Sequence, residues 1–314
     1  MDVRGRPLHI GVQLQAQRTS WAEYADAVAA VEELGFDSVW TFDHLLPFAG
    51  ADDEPAFETL TTQAALALLT RRARFGVLVA GVLYRDPATL AKSAAQVDHM
   101  SGGRLEFTLG AAWAEREFRA YGLPFPPLAE RYERTDEALQ IVKLLWTQPR
   151  TTFEGRHYRL EDAPGEPKPV QSPHPPITIG GGGWGSLRLA ARHAQRWNAQ
   201  GSPEQCAERA GRLARCCAEV GRDVGEVELS LHPSLALAAT HEEAEAQAVR
   251  ATALLGQDLA EQRDHWLLGT PAEVTDQLRR YLDLGFSHYV IGVGHPFDLT
   301  ALRMLREEVL PALG

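Results

Sequence analysis

Four consecutive glycines are the feature of this sequence best suited to binding a ligand. Gly180 to Gly183 lead from a predicted strand into a helix that begins near Trp184 or Gly185. Such a turn exposes backbone N–H groups beside the positive end of a helix dipole, where phosphate groups bind. The alternative is a loop that is only flexible or tightly packed. We predict a phosphate site, to which Ser186 could add a hydroxyl donor.

Asp43 and His44 place a carboxylate and an imidazole side by side after another predicted strand. Histidine exchanges protons near neutral pH and is therefore a common general acid or base. Neighbouring side chains in a strand point to opposite faces, so both residues reach one pocket only if the chain is already turning there. The pair predicts either a catalytic site or a simple loop cap.

Trp113 follows Gly110-Ala-Ala at the end of a further strand. Core packing is the usual role of a tryptophan, but the small residues before it leave room for a bound ring system at this position. His232, His288 and His295 show neither HExxH nor another metal-binding spacing. We therefore expect structural roles for these three histidines and no metal site.

These residues meet only if their strands end on the same side of one sheet. Short β-like runs alternate with longer amphipathic segments along the chain, a pattern typical of parallel strands joined by helices. Eight runs read as strands, at residues 9–14, 38–42, 74–80, 105–109, 176–179, 196–199, 227–231 and 288–293. A doubly wound sheet more often has five or six strands and a GxGxxG motif after the first one, and no such motif occurs here. The sequence therefore predicts an α/β fold, a single (β/α)8 TIM barrel domain over residues 1–314.

Helix-capping signals separate the predicted strands, with one exception. Capping boxes occur at Ser20 with Glu23, Thr240 with Glu243, and Thr270 with Glu273. Residues 148–175 break the alternation, because five prolines between Pro164 and Pro175 cannot continue a helix or a central strand. We predict that this segment is an excursion on the rim after the fourth helix.

In a barrel of this kind, ligands bind at the carboxyl ends of the strands. That rule selects a short set of candidate residues for one site: Gln13, Gln15, Asp43, His44, Ala80, Gly81, Gly110–Trp113, Gly180–Gly183, Trp197, Asn198, His232 and Gly292–His295.

Charge and composition limit the partners. The formal net charge is −11, which disfavours nucleic acid because its binding relies on Lys and Arg at phosphates. No apolar stretch approaches the roughly 20 residues of a membrane span, and residues 1–7 lack the apolar core of a secretory signal. Cys206, Cys216 and Cys217 lie in one predicted helix without a CxxC spacing, so we expect reduced packing residues. We expect a cytoplasmic protein with a small-molecule substrate and no nucleic-acid or membrane partner.

Several longer phrases extend over nearly the whole chain. They are Glu33-Leu-Gly-Phe-Asp-Ser-Val-Trp40 before Asp43-His44, Tyr84-Arg-Asp-Pro87 with Leu90-Ala-Lys92, Asp98-His-Met-Ser-Gly-Gly-Arg104, Ile179-Gly-Gly-Gly-Gly183, Trp197-Asn198, and Leu268-Gly-Thr-Pro-Ala-Glu-Val274. With these phrases the sequence resembles the bacterial luciferase-like monooxygenase superfamily. Within it, the chain is similar to the branch that uses the deazaflavin coenzyme F-420 (F420).

The resemblance implies roles for the candidate residues. It implies a barrel, usually a homodimer, with an isoalloxazine-like ring deep in the mouth and the cofactor phosphate at Gly180 to Gly183. His44 would be the proton donor or acceptor and Asp43 would position the cofactor. Val77, Leu78 and Val79 would support the ring from behind, through a bulge with a non-proline cis peptide bond. Trp113 joins Asp43 and His44 as a catalytic candidate.

The chain also departs from the family pattern. Many relatives read Gly-Val-Gly-Ala-Gly-Trp at the end of the fourth strand, whereas this chain reads Thr108-Leu-Gly-Ala-Ala-Trp113. Sugar-phosphate dehydrogenases of this branch carry an acid where Trp113 lies, which argues against that substrate class.

Three functions are compatible with these patterns. The leading hypothesis is an F420-dependent oxidoreductase that transfers a hydride between the deazaflavin and a small organic substrate. The first alternative is an FMN-dependent luciferase-like monooxygenase that uses O2, and the second is a non-catalytic flavin-binding barrel.

Overall fold

Eight parallel strands close into a barrel, as the alternation of strands and helices predicted. The computed structural model describes residues 1–48 and 51–314. Each strand pairs with the next along the chain, and the eighth pairs with both the seventh and the first, which closes the sheet. The strands are β1 His9–Leu14, β2 Ser38–Thr41, β3 Arg74–Val77, β4 Leu105–Thr108, β5 Ile177–Gly180, β6 Arg196–Ala199, β7 Glu228–Leu231 and β8 Phe286–Val293.

Helices surround the barrel. The capping boxes predicted at Ser20, Thr240 and Thr270 are all present. The helices are α1 Trp21–Glu33, α2 Thr59–Leu69, α3 Pro87–Ser101, α4 Glu115–Ala120, α5 Leu128–Thr147, α6 Trp184–His193, α7 Pro203–Glu219, α8 His241–Leu254, α9 Leu259–Gln262, α10 Pro271–Asp283, α11 Leu299–Met304 and α12 Leu310–Ala312. None of the helices within residues 1–48 and 51–314 has the length and hydropathy needed to cross a bilayer.

A single tryptophan fills much of the barrel interior below the carboxyl end of β3. Trp40 is fully buried and packs with Leu78 and Val290. A Cβ atom on Gly11 would lie 2.7 Å from Trp40 Nε1, and one on Gly76 would lie 2.7 Å from Trp40 Cζ3. Glycine is therefore required on the two strands beside β2, because any larger residue would displace the indole.

The amino-terminal end of the barrel contains a buried ion cluster. Arg196 donates to Glu106 Oε2 and to Glu228 Oε2, each at 2.8 Å. Arg74 forms a further ion pair with Glu106, and Ser287 donates to Glu228 at 2.8 Å. Because removing one partner would leave an uncompensated buried charge, these contacts hold the starts of five strands in place. The opposite end of the barrel remains for ligands.

Three pairs of short strands lie outside the barrel. The predicted excursion at 148–175 contains an antiparallel hairpin, Arg150–Glu154 with Arg159–Pro164. A second hairpin joins Asp2–Val3 to Arg6–Pro7, and Ser234–Leu237 pairs in parallel with Trp266–Gly269 beside β8. The last two pairs were not predicted from the sequence.

Candidate active site

Asp43 lies directly after β2 and is held entirely by protein groups. Its Oδ2 accepts from the Gly81 N–H at 2.9 Å and from Arg85 Nη1 at 2.7 Å, while Oδ1 accepts from Arg85 Nη2 at 3.0 Å. Arg85 also donates to Glu58 Oε1 at 2.5 Å. Asp43 therefore connects the loop after β2 to the loop after β3. Its expected contact with a cofactor stays a prediction.

His44 is held by a carboxylate at the mouth of the barrel. Its Nδ1 lies 2.6 Å from Glu117 Oε1. Glu117 Oε2 accepts from the Leu45 N–H and from Tyr84 Oη, both at 2.8 Å. Glu117 belongs to α4 and is 1% exposed. The segments that follow β2, β3 and β4 thus meet at this one carboxylate.

Burial and hydrogen bonding have opposite effects on Glu117. Burial raises its pKa, but the hydrogen bonds from His44, Leu45 and Tyr84 outweigh burial and bring the pKa below the usual glutamate value. Burial, together with the Glu117 carboxylate, raises the pKa of Tyr84 well above its usual value. At neutral pH Glu117 is therefore an anion and Tyr84 a neutral hydroxyl donor.

Trp113 lies beside His44 at the barrel mouth. The two ring centroids are 5.3 Å apart with the planes at 72°, and 67% of Trp113 is exposed. Ala112 has a φ of +57°, a conformation that favours glycine, and Arg131 Nη1 donates to its carbonyl at 2.7 Å. The exposed indole offers a flat apolar surface to any ligand next to His44.

The chain bulges where β3 ends. The peptide bond between Leu78 and Val79 is cis, at the position where the resemblance implied a non-proline cis bond. The predicted strand end at Ala80 was wrong, because β3 stops at Val77 where the bulge interrupts the ladder. Gln13 Nε2 donates to the Leu78 carbonyl at 3.0 Å. The first strand thus supports the bulge from inside the barrel.

The side chain of Val79 occupies space left by two glycines on neighbouring strands. A Cβ atom on Gly180 would lie 2.9 Å from Val79 Cγ2, and one on Gly110 would lie 3.2 Å from Val79 Cγ1. Val79 therefore lies between the ends of β4 and β5, partly buried. The expected support of a cofactor ring by Val79 stays a prediction.

Gly181 to Gly183 form the turn between β5 and α6, and Gly180 is the last residue of β5. Gly181 has a φ of +106°, donates its N–H to the Asn198 carbonyl at 3.1 Å and accepts from Trp197 Nε1 at 2.8 Å. The N–H groups of Gly182 and Gly183 make no hydrogen bond to any residue that the structure describes. Available amides at the start of a helix fit a phosphate group.

Arg209 from α7 lies against this turn and was missed by sequence reasoning. A Cβ atom on Gly182 would lie 2.6 Å from Arg209 Cδ and 2.7 Å from Nε. Its Nη1 donates to the Gln200 carbonyl. A positive charge therefore lies beside the candidate phosphate site. In the sequence, Arg209 is one of several arginines of an amphipathic helix and carries no signal of its own.

Glu117 and Tyr84 were also missed as members of the site. Glu117 follows Trp113 by four residues, in the short helix α4, and Tyr84 lies in the loop before α3. Both residues therefore belong to segments that follow the carboxyl ends of barrel strands. That placement was the available signal. It was insufficient, because a buried glutamate and a surface glutamate at a helix start look alike in sequence.

The ends of β1 and β8 border a cavity of about 240 Å³. Gln15, Gln17 and His295 are among its lining residues. Gln17 Oε1 accepts from the Phe48 N–H at 3.0 Å, and the Phe48 ring centroid is 5.4 Å from that of His44. Gln17 therefore links the lining of this cavity to Phe48, the neighbour of His44.

His288 is buried and His232 is half-buried, with its Nε2 atom inaccessible to solvent. Gln200 Nε2 lies 2.9 Å from His232 Nδ1, and Ser230 Oγ lies 2.8 Å from His288 Nδ1. Burial lowers the pKa of both histidines. Within the described residues, no three His, Cys, Asp or Glu side chains are grouped as a metal site would require.

Comparisons with known proteins identify relatives over the full length of the chain. A family model described as luciferase-like monooxygenase matches residues 7–266. An F420-dependent glucose-6-phosphate dehydrogenase of Microbacterium testaceum is 32% identical, with 98% of each chain covered. An FMNH(2)-dependent dimethylsulfone monooxygenase of Pseudomonas putida is 34% identical, over 56% of this chain and 48% of the relative.

One solved structure shows how far the fold is shared. An F420-dependent secondary alcohol dehydrogenase in complex with an F420-acetone adduct superposes with a TM-score of 0.84, over 98% of this chain and 99% of the other. Its sequence is 20% identical to this chain, so the likeness shows the fold alone.

Proposed function

Because this chain belongs to the luciferase-like monooxygenase family, we propose that it is an F420-dependent oxidoreductase that transfers a hydride between the deazaflavin and a small organic substrate. Relatives named as F420-dependent dehydrogenases match nearly the whole chain, whereas the FMN-dependent relative matches about half of it. The observation that carries the proposal is the buried Glu117 carboxylate bonded to His44 next to the exposed Trp113.

The residues at the mouth fit such a cofactor. The amides of Gly182 and Gly183 lie at the start of α6, and the Arg209 side chain from α7 lies against Gly182, so these three groups would hold the phosphate. Val79 would support the ring between the ends of β4 and β5. When bound, the deazaflavin supplies the hydride acceptor or donor; the protein supplies orientation and exclusion of water.

His44 would exchange the proton that accompanies the hydride. A substrate carbon that loses a hydride becomes a carbonyl carbon only if the attached hydroxyl also loses its proton, and the reverse reaction needs the same proton back. An imidazole at the mouth suits this exchange near neutral pH. Trp113 would cover the reacting atoms with its exposed face.

Two titrations test the cofactor. Purified protein is titrated with oxidised F420, followed by its fluorescence, and separately with FMN. We expect F420 to bind at least tenfold more tightly than FMN. Tight FMN binding with weak F420 binding would overturn the proposal in favour of the FMN-dependent monooxygenase.

A substrate panel tests the activity. Reduced F420 is combined with carbonyl compounds and activated alkenes, and oxidised F420 with alcohols and sugar phosphates. We expect enzyme-dependent change in the F420 absorbance with at least one class, and none with sugar phosphates. Binding of F420 without turnover of any compound would favour the non-catalytic barrel. The expected homodimer stays a prediction, and light scattering of the purified protein would measure its molar mass in solution.

A further inference from the structure

The contact between His44 and Glu117 differs from the buried contacts of Asp43, Glu106 and Glu228. Asp43, Glu106 and Glu228 each contact an arginine, which carries a permanent positive charge. The ion-pair partner of Glu117 is His44, whose charge depends on its protonation. If the imidazole becomes protonated, its positive charge therefore lies next to a buried carboxylate, with Nδ1 of His44 2.6 Å from Oε1 of Glu117.

The carboxylate also determines which nitrogen of His44 carries the hydrogen. An ionised carboxylate only accepts hydrogen bonds, so Nδ1 must be the donor in the 2.6 Å contact. A neutral imidazole has one N–H group, and Nε2 is then the unprotonated atom. Nε2 makes no hydrogen bond to residues 1–48 or 51–314, so it is the nitrogen that remains for a substrate.

Tyr84 keeps the carboxylate in this orientation. Its hydroxyl donates to Oε2, the oxygen that does not contact His44, together with the Leu45 N–H. The Tyr84 ring stacks on Phe118 with centroids 4.5 Å apart and planes at 18°. A Cβ atom on Gly81 would lie 2.6 Å from the same ring, so a residue larger than glycine at position 81 would displace the Tyr84 side chain. Both carboxylate oxygens therefore have fixed partners.

We propose that Glu117 is a positioning residue for the proposed reaction, in that it keeps His44 in the Nδ1–H tautomer and directs proton exchange to Nε2, while the Tyr84 hydroxyl fixes the Glu117 carboxylate. The part of this proposal that concerns the reaction rests on the proposed function. The part that concerns the tautomer rests on the hydrogen bonds of Glu117 and does not depend on the reaction.

The tautomer is measured by NMR, without any substrate. The full-length protein is labelled with 15N-histidine, and the His44 resonances are assigned as those missing from the His44→Ala spectrum. We expect wild-type His44 in the Nδ1–H form, and Glu117→Gln to populate the Nε2–H form. A wild-type His44 in the Nε2–H form, or no change in Glu117→Gln, would overturn the proposal.

Kinetics test the consequence. We expect Glu117→Gln to lower kcat about tenfold to a hundredfold, the size of effect seen when the carboxylate that orients a metal-binding histidine is removed, with the Kd for F420 within about threefold. Tyr84→Phe should lower kcat about two- to fivefold. Tyr24→Phe removes a buried hydroxyl of α1 that has no hydrogen-bond partner among residues 1–48 and 51–314, and should leave kcat unchanged. A higher KM with unchanged kcat in Glu117→Gln would contradict positioning.

The two proposals fail in different ways. Absence of F420 binding and turnover in the wild type would reject the proposed function, while the tautomer measurement would still decide the role of Glu117. If Glu117→Gln does not fold, the role of Glu117 is tested by the wild-type tautomer and by the kinetics of Tyr84→Phe, because neither measurement needs the Glu117→Gln protein.

Discussion

Arg85 donates one hydrogen bond to each carboxylate oxygen of Asp43, at 2.7 and 3.0 Å. The Asp43 side chain is 1% exposed and the Arg85 side chain 13%, so water screens this pair little. Burial lowers the pKa of Arg85, but the Asp43 and Glu58 carboxylates outweigh burial and raise it above its usual value. The pair joins the loops after β2 and β3 directly beside His44.

Loss of Arg85 should destabilise the protein. Arg85→Ala leaves the Asp43 carboxylate buried without a cation, a change that costs roughly 3–5 kcal/mol in comparable sites. Urea unfolding followed by circular dichroism measures the difference. Arg279→Ala is the control, because its pair with Asp276 is more than half exposed and should contribute less than about 1 kcal/mol. Equal losses in the two variants would contradict the importance assigned to the Asp43 pair.

Loss of the His44 imidazole should affect turnover much more than cofactor binding. His44→Ala removes the proposed proton partner, and general acid or base groups contribute about 10²- to 10⁴-fold to rates. We expect a fall of that size in turnover, with F420 affinity within about threefold by fluorescence titration. His241→Ala, an exposed histidine paired with Glu273, is the matched control. Turnover in His44→Ala close to that of His241→Ala would reject the assignment.

The glycine turn should tolerate a methyl group at one position and not at another. Gly181 has a φ of +106° and a Cβ there would lie 2.9 Å from Ser186 Oγ, whereas the nearest atom to a Cβ on Gly183 is 3.6 Å away. Gly181→Ala should therefore lose about 1–3 kcal/mol of stability from the strained backbone. It should also bind F420 at least tenfold more weakly.

Gly183→Ala is the control for this change and should keep the wild-type melting temperature. Both quantities come from thermal unfolding and fluorescence titration of the same preparations. Wild-type F420 affinity in a folded Gly181→Ala protein would show that the turn does not hold the cofactor phosphate.

Acid should destabilise the fold partly through His232. Burial lowers its pKa from 6.5 to about 4, so between these values the unfolded chain binds a proton that the folded protein does not. Stability contributed by the neutral histidine is therefore complete above about pH 6.5 and falls as the pH drops towards 4. At pH 4.5 this histidine costs on the order of 2 kcal/mol.

The variant His232→Gln tests the direction of this change in stability with pH. The variant should lose less stability than wild type between pH 7 and pH 4.5, measured by urea unfolding at each pH, whatever its stability at pH 7. Parallel curves for the two proteins across this range would show that His232 titrates normally in the folded state.

Local features of the chain were sufficient to predict the barrel. All eight strands lie within about two residues of their predicted bounds except β3, which ends three residues early at the cis Leu78–Val79 bond. The capping boxes at Ser20, Thr240 and Thr270 form as predicted, because their two partners are three residues apart. The run of glycines at 180–183 was also recognisable, because four consecutive glycines are a local feature of the sequence.

The contacts of the site were not predictable in this way. His44 meets Glu117 across 73 residues of sequence and Asp43 meets Arg85 across 42, and Arg209 reaches Gly182 from another helix. The sequence by itself determined the barrel and the candidate residues at the carboxyl ends of its strands, since period, caps and glycine turns are short-range properties. Only the tertiary structure decided that Asp43 is enclosed by an arginine and that His44 faces a buried carboxylate, because burial and charge pairing depend on which loops the closed sheet brings together.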